Sequence, residues 1–110
     1  MKTKKPIEIQ SKETLNQLLE ENQLFVLYFS STECGVCHAV LPRLINLLEE
    51  YNVEIATIDI NRLREISGQY LVFTVPTILL IKNGKEILRE SRFIDFTNIS
   101  RFIGEGLDQV

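Results

Sequence analysis

The chain has 110 residues, of which 45% are hydrophobic and 25% charged, and it carries a formal net charge of −3. A chain of this length has room for one core but not two, so we expect residues 1–110 to form a single globular domain. The mild negative charge argues against nucleic acid as a partner, because nucleic-acid binding needs a strongly basic surface.

The first part of the chain predicts a strand, a helix and a second strand. Three lysines, Lys2, Lys4 and Lys5, make a small basic start that we interpret as a solvated terminus. Residues 7–9 alternate apolar and polar side chains, as a short strand does. Ser11 is placed as the N-cap of a helix that runs to about Asn22. The apolar run from Leu24 to Ser30 predicts a strand buried on both faces.

The middle of the chain predicts a helix, a strand and a short helix. From about Cys34 to Glu50 the apolar residues recur on one helical stripe. Pro42 lies inside this stripe and cannot donate to the carbonyl of His38, so we expect a kink early in the helix. Residues 53–60 then predict a second buried strand, and residues 61–70 a short helix.

The last part of the chain predicts a hairpin and a closing helix. Residues 76–90 form two strands around Asn83-Gly84, a dipeptide favoured in two-residue hairpin turns. Asp95 is placed as the N-cap of the last helix. We expect four residues of this helix to face the core: Ile99, Phe102, Ile103 and Leu107. The order β-α-β-α-β-α-β-β-α predicts an α/β fold with a mixed central sheet and helices on both faces.

The sequence carries no pattern of a targeting or membrane-spanning segment. The first ten residues are polar, unlike a secretory signal peptide. The longest apolar run, Leu24 to Phe29, is too short to span a bilayer. We therefore predict a cytoplasmic protein without a membrane partner. In that compartment a close pair of cysteines is more often catalytic or metal-binding than a structural disulfide.

The only two cysteines, Cys34 and Cys37, fall where the buried strand turns into a helix. Unpaired backbone N–H groups and the positive end of the helix dipole favour a thiolate there. At positions i and i+3 the two sulfurs share one helix face and are close enough for a disulfide. Gly35 leaves space for the backbone of a partner. We predict that Cys34 is the exposed attacking thiolate and that Cys37 is the resolving thiol.

Three other interpretations of the cysteines remain open from the residues alone. A zinc site needs two more ligands, and His38, the only histidine, lies too close to complete a tetrahedral site with both cysteines. The stretch from Cys34 to His38 also matches the attachment pattern of c-type haem, which requires an exported chain. The third is that the cysteines are ordinary core residues. We predict that no metal and no organic cofactor is needed.

The motif and its surroundings resemble the thioredoxin family, over roughly Glu13 to Leu107. The resemblance rests on the stretch LYFSSTECGVCHAVLP, on Pro42 five residues beyond the second cysteine, and on the stretch VPTILLIKNGKEI. It implies a thioredoxin fold and thiol–disulfide oxidoreductase activity. It also implies a cis Val75–Pro76 bond, which would place Pro76 against the sulfurs and leave the Val75 backbone free to pair with an extended substrate.

Two departures from the family pattern lie in the motif itself. Glu33 replaces a tryptophan, which removes an aromatic platform and adds a carboxylate that opposes the ionisation of Cys34. Val36 replaces the proline between the cysteines, which relaxes the backbone there. His38 is either a titrating neighbour that supports the thiolate or a residue that faces solvent.

Two further departures lie beside the motif. Tyr28 stands where the family keeps a buried aspartate, and Thr57 stands where it keeps a lysine partner. A phenol is a poor base at neutral pH, so we interpret Tyr28 as a core aromatic with a satisfied hydroxyl. Arg92 corresponds to a glycine beside the active site. In that position it would stabilise the Cys34 thiolate, counter Glu33 or hold an anionic substrate, whereas the simpler interpretation is a plain surface arginine.

These observations predict a small thiol–disulfide oxidoreductase that acts as a monomer in cell redox homeostasis. Its partners would be disulfide-containing proteins or low-molecular-weight thiols, and an external reductase would supply electrons. The rival interpretation is a thioredoxin-fold binding or redox-sensing module with little turnover, which the missing tryptophan and aspartate favour.

Overall fold

The computed structural model describes residues 5–108, so Lys2 and Lys4 of the basic start lie outside the described residues. Within that range the elements follow the predicted order β-α-β-α-β-α-β-β-α. The strands are β1 (Ile7–Glu8), β2 (Leu24–Ser30), β3 (Glu54–Asp59), β4 (Thr77–Lys82) and β5 (Lys85–Ser91). The helices are α1 (Lys12–Glu21), α2 (Gly35–Glu49), α3 (Arg64–Gln69) and α4 (Phe96–Asp108).

The strands form one mixed sheet in the order β1-β3-β2-β4-β5, which confirms the predicted α/β architecture. β3 pairs in parallel with β1 and β2, whereas β4 pairs antiparallel with β2 and β5. Phe29 is opposite Thr77, and Thr77 is opposite Ser91. The end of β2, the start of β4 and the end of β5 therefore meet at one edge of the sheet. We call it the cysteine edge, because Cys34 follows β2 there.

Helices cover both faces of the sheet, as predicted. Alternate residues of β2 point to opposite faces, with Phe25 and Leu27 in one apolar cluster and Val26 and Tyr28 in the other. Leucines of α1 and Ile66 of α3 belong to the first cluster, and apolar residues of α2 and α4 belong to the second. Because β2 is buried on both faces, its sequence is a continuous apolar run rather than an alternating one.

Local signals at the helix ends behave largely as predicted. The Ser11 hydroxyl accepts from the Thr14 backbone N–H at 3.4 Å, and the Asp95 carboxylate accepts from the Asn98 N–H at 3.0 Å, so both predicted N-caps are confirmed. Helix α2 continues through Pro42 to Glu49. No helix among residues 5–108 combines the length and apolar character that a bilayer crossing requires.

Two details of the predicted helices are wrong. The short third helix begins at Arg64 rather than at residue 61, because the Asp59 carboxylate accepts from the Asn61 N–H at 2.9 Å and holds that stretch in a turn. Leu107 is 39% exposed and does not face the core. The buried residue in its turn is Gly106, where an added Cβ would lie 3.4 Å from a methyl group of Leu24.

Candidate active site

The two cysteines lie at the start of α2, on the cysteine edge. Cys34 is the N-cap of this helix, with extended backbone, and Cys37 lies in its first turn. A disulfide joins them, and their Cα atoms are 5.3 Å apart. Cys34 is half-buried, whereas Cys37 is only 2% exposed. A partner from solvent therefore reaches the sulfur of Cys34 before that of Cys37.

The helix end provides a positive environment for the outer sulfur. The Cys37 backbone N–H donates to the Cys34 Sγ at 3.1 Å, and the first turn of α2 contains no acidic residue. When the disulfide is reduced, this N–H group and the positive end of the helix dipole stabilise negative charge on Cys34. The arrangement favours a reactive thiolate at the outer position and a protected thiol at the inner one.

Neither charged neighbour of the motif contacts a sulfur through a hydrogen bond. His38 is exposed, and its Nε2 donates to the Thr32 carbonyl at 3.1 Å, as a residue that faces solvent would. Glu33 is exposed and makes no hydrogen bond or ion pair with any residue that the structure describes. Their influence on Cys34 therefore acts through space and is screened by solvent.

Tyr28 holds the sheet to the helix beneath the disulfide. Its ring is buried in β2, and its hydroxyl donates to the Cys37 carbonyl at 2.6 Å. Burial raises its pKa to about 12, so it cannot accept a proton near neutral pH. Tyr28 pairs across the sheet with Thr57, the position of the family's lysine. The buried polar residues within 5–108 are Ser67 and Thr77, so no carboxylate is buried among them.

The start of β4 brings a second segment to the cysteine edge. The Val75–Pro76 bond is cis, as the family resemblance implies. Pro76 is buried, and Val75 is half-buried against the apolar cluster that contains Cys37. The backbone N–H and C=O of Val75 make no hydrogen bond within residues 5–108. A donor and an acceptor are therefore available on this segment for another chain.

Arg92 adjoins Pro76 directly. Its backbone N–H donates to the Pro76 carbonyl at 3.0 Å, and its φ of 65° is in the left-handed region, which glycine adopts without strain. A glycine, which the family resemblance implies at this position, would adopt this backbone without strain. The Arg92 side chain is exposed, and its guanidinium makes no hydrogen bond or ion pair with the described residues.

Three large apolar side chains, one in the motif and two in the segments that adjoin Pro76 and Arg92, face solvent. Val36 is 56% exposed, Phe73 is 75% exposed and Phe93 is 91% exposed. Val36 lies between the cysteines, Phe73 precedes Pro76 by three residues, and Phe93 follows Arg92. The sequence interpretation missed both phenylalanines, because aromatic residues are usually assigned to the core. The only signal was their position outside the apolar periods of β4 and β5.

No group of three His, Cys, Asp or Glu side chains in the described part of the chain is placed to hold a metal ion. A polar cleft of about 400 Å³ lies where β1, β2 and β3 end, and its walls include Thr32, Asp59 and Arg62. Neither cysteine lines this cleft. We assign it no part in the reaction.

Comparison with known families agrees with this geometry. The family model described as Thioredoxin matches residues 6–104, which is most of the chain. The chain belongs to the thioredoxin family. It is a thioredoxin-like redox protein, and Cys34 and Cys37 are its active-site cysteine pair.

Individual relatives support the same membership. This thioredoxin-family chain is 35% identical over 89 residues to the Thioredoxin-like protein YdfQ of Bacillus subtilis, covering 80% of each. It is also 33% identical to Thioredoxin H2 of Arabidopsis thaliana over 75 residues. That match covers 67% of this chain and 56% of the plant protein.

Solved structures match the fold along nearly the whole thioredoxin-family chain. A thioredoxin of Fasciola hepatica superposes with a TM-score of 0.81 at 30% identity, covering 91% of this chain and 98% of that one. A mutant thioredoxin from Halobacterium salinarum gives a TM-score of 0.86 at 22% identity, covering 96% and 94% respectively, and at that identity it shows the fold alone.

Proposed function

We propose that this protein is a thiol–disulfide oxidoreductase that reduces protein disulfides or low-molecular-weight disulfides. The observation that carries the proposal is the unequal exposure of two bonded cysteines at a helix start: Cys34 is half-buried and Cys37 is 2% exposed. A protein that uses its disulfide only to hold the fold together has no need for an accessible sulfur with a helix N–H group directed at it.

The proposed reaction begins with the reduced pair. The Cys34 thiolate attacks one sulfur of the substrate disulfide, forms a mixed disulfide, and expels the other substrate sulfur as a thiolate. Cys37 then loses its proton and attacks the Cys34 sulfur. This second step breaks the mixed disulfide, releases the remaining substrate thiol, and leaves the Cys34–Cys37 disulfide. Two electrons from an external reductase or thiol pool return the pair to the dithiol.

Substrate binding is proposed to use the surface around the cysteines. An extended substrate segment would pair with the free backbone groups of Val75, as an added strand does, with buried Pro76 below it. Gly35 leaves room for the approaching chain, and exposed Val36 provides an apolar contact. This open surface suits a protein segment better than it suits a fully enclosed small molecule.

The cellular setting is part of the same proposal. We place the protein in the cytoplasm, as a monomer and a single domain that needs no metal, organic cofactor, nucleic acid or membrane. A reducing compartment would keep the pair largely as the dithiol that the first step requires.

A trapping experiment tests the enzyme assignment. The Cys37→Ser protein should form mixed disulfides with partner proteins in a lysate, and these should be released by a reductant, because Cys34 attacks but nothing resolves the bond. The double variant with serine at both positions is the matched control and should capture nothing covalently. In parallel, Cys34→Ser should lose disulfide reduction with dithiothreitol as the electron donor.

The same experiment addresses a second function, a binding or redox-sensing module with little turnover. The absence of a buried carboxylate among the described residues favours that alternative, because slow resolution limits turnover. Reductant-releasable partners together with repeated reduction of a protein disulfide support the enzyme. If Cys34→Ser reduces disulfides as fast as the unaltered protein, the proposed mechanism is wrong.

A further inference from the structure

We propose that Arg92 makes this protein selective for protein disulfides whose cysteine is flanked by acidic residues. The inference rests on the proposed function and names its substrate class. It is carried by the position of Arg92, by the backbone conformation that this residue adopts, and by the state of the carboxylates around it.

The position of Arg92 brings its charge to the proposed substrate surface. β5 ends at Ser91, which pairs with Thr77 at the start of β4, and the next residue bonds the Pro76 carbonyl through its backbone. The Arg92 backbone is thus hydrogen-bonded directly to the segment on which a substrate strand would lie. Arg92 is exposed, so its guanidinium is open to solvent, and the proposal has it meet side chains of that strand.

The backbone at Arg92 is one that glycine adopts without strain, so the fold itself does not require an arginine there. The N–H contact with Pro76 and the φ of 65° are both available to glycine, without strain. An L-residue in this conformation is strained, and the guanidinium gains no hydrogen bond or ion pair within residues 5–108 that would offset the strain. Strained residues of this kind cluster at functional sites.

The acidic groups nearest to Arg92 in sequence are already engaged. The Glu90 carboxylate accepts from the Asp95 backbone N–H at 3.1 Å and from the Asn98 side-chain amide at 3.0 Å. The Asp95 carboxylate accepts from the Asn98 backbone N–H at 3.0 Å. Both carboxylates are therefore engaged at the start of α4, where Asp95 is the N-cap. The guanidinium has no hydrogen bond or ion pair with a described carboxylate, and its planar donors can bind an incoming carboxylate in a fork.

A set of peptide disulfides tests the inference. Each peptide carries one cysteine as a mixed disulfide with 2-thiopyridine, flanked on both sides by either Glu or Gln. Attack by the reduced protein joins the Cys34 sulfur to the peptide sulfur and expels pyridine-2-thione, whose absorbance gives the rate. We expect the unaltered protein to react about two- to fivefold faster with the Glu peptide than with the Gln peptide.

Variants separate the local charge from general electrostatics. Arg92→Gln should bring the Glu/Gln rate ratio to about one, and Arg92→Lys should restore most of it. Lys85→Gln is the matched control: it removes the same charge from the opposite end of β5, and the ratio should persist. Without any variant, raising the salt concentration should lower the ratio of the unaltered protein toward one, because exposed charges are screened.

The outcomes distinguish this inference from the proposed function. If the unaltered protein reacts with both peptides at equal rates, or if Arg92→Gln keeps the preference, the assigned specificity is wrong while the oxidoreductase proposal stands. If the reduced protein releases thione from neither peptide, the oxidoreductase proposal itself fails, and the specificity fails with it.

Discussion

Replacing Arg92 with glycine should stabilise the fold, although arginine is the natural residue. Arg92 has a φ of 65°, its side chain is exposed, and its one hydrogen bond uses the backbone N–H, which glycine keeps. The variant therefore relieves a strained backbone and removes no hydrogen bond or ion pair within residues 5–108.

The expected gain follows from two opposing effects. An L-residue in the left-handed region costs about 1–2 kcal/mol relative to the right-handed one. Glycine gives back about 0.4–1 kcal/mol, because its unfolded chain has more conformational freedom to lose. The net gain in the free energy of unfolding should be about 0.5–1 kcal/mol. For a domain of this size it raises the Tm by about 2–5 °C.

Urea unfolding of the oxidised proteins measures this difference, with Arg92→Ala as the matched control. Alanine also removes the exposed side chain but keeps the Cβ that causes the strain, so its stability should lie within about 0.5 kcal/mol of the unaltered protein. If Arg92→Gly is no more stable than Arg92→Ala, the backbone at this residue is not strained. The argument that the arginine is retained for function then loses its main support.

Two further predictions concern the core and a helix end. Tyr28→Phe should lower stability by about 1 kcal/mol at neutral pH, because the hydrogen bond to the Cys37 carbonyl is lost. Burial raises the Tyr28 pKa from 10.0 to about 12. Ionisation of Tyr28 therefore leaves the free energy of unfolding unchanged below about pH 10 and lowers it by up to about 3 kcal/mol as the pH rises through about 12. The Tyr28→Phe variant should not show this loss when unfolding is measured across the same pH range. Asp95→Ala removes the N-cap of α4 and should lower the free energy of unfolding, measured in urea, by about 1 kcal/mol. Asp95→Asn can still accept from the Asn98 N–H and should lower it much less. Equal losses in the two variants would contradict the capping role.

The sequence predicted those features that depend on neighbours along the chain. The continuous apolar run of β2 indicated a central strand, and the cysteines directly after it indicated the helix start. Asn83 and Gly84 both have positive φ, 50° and 81°, as the tight hairpin turn between β4 and β5 requires. The caps at Ser11 and Asp95 were found because an N-cap is a local side chain–backbone contact.

Features that depend on the sheet register were beyond the sequence. The contact between Arg92 and Pro76 exists because β4 and β5 pair with Ser91 opposite Thr77, and a register shift between Leu80 and Ile81 helps to set that pairing. The exposure of Phe93 depends on where β5 ends, and composition does not reveal it. Leu107 was misassigned because a close approach of two segments, at Gly106, cannot be read from apolar periodicity.

The Tyr28 hydroxyl donates to the Cys37 carbonyl and is not a proton acceptor for Cys37, which affects how long a mixed disulfide lasts. In the proposed mechanism the Cys37 proton finds no buried carboxylate within residues 5–108, so we expect it to leave through water or through the departing partner. The mixed disulfide between Cys34 and a partner should therefore be long-lived, and its lifetime should shorten as the pH rises. If the protein reduces disulfides as proposed, a long-lived mixed disulfide would give each bound protein time to rearrange before release.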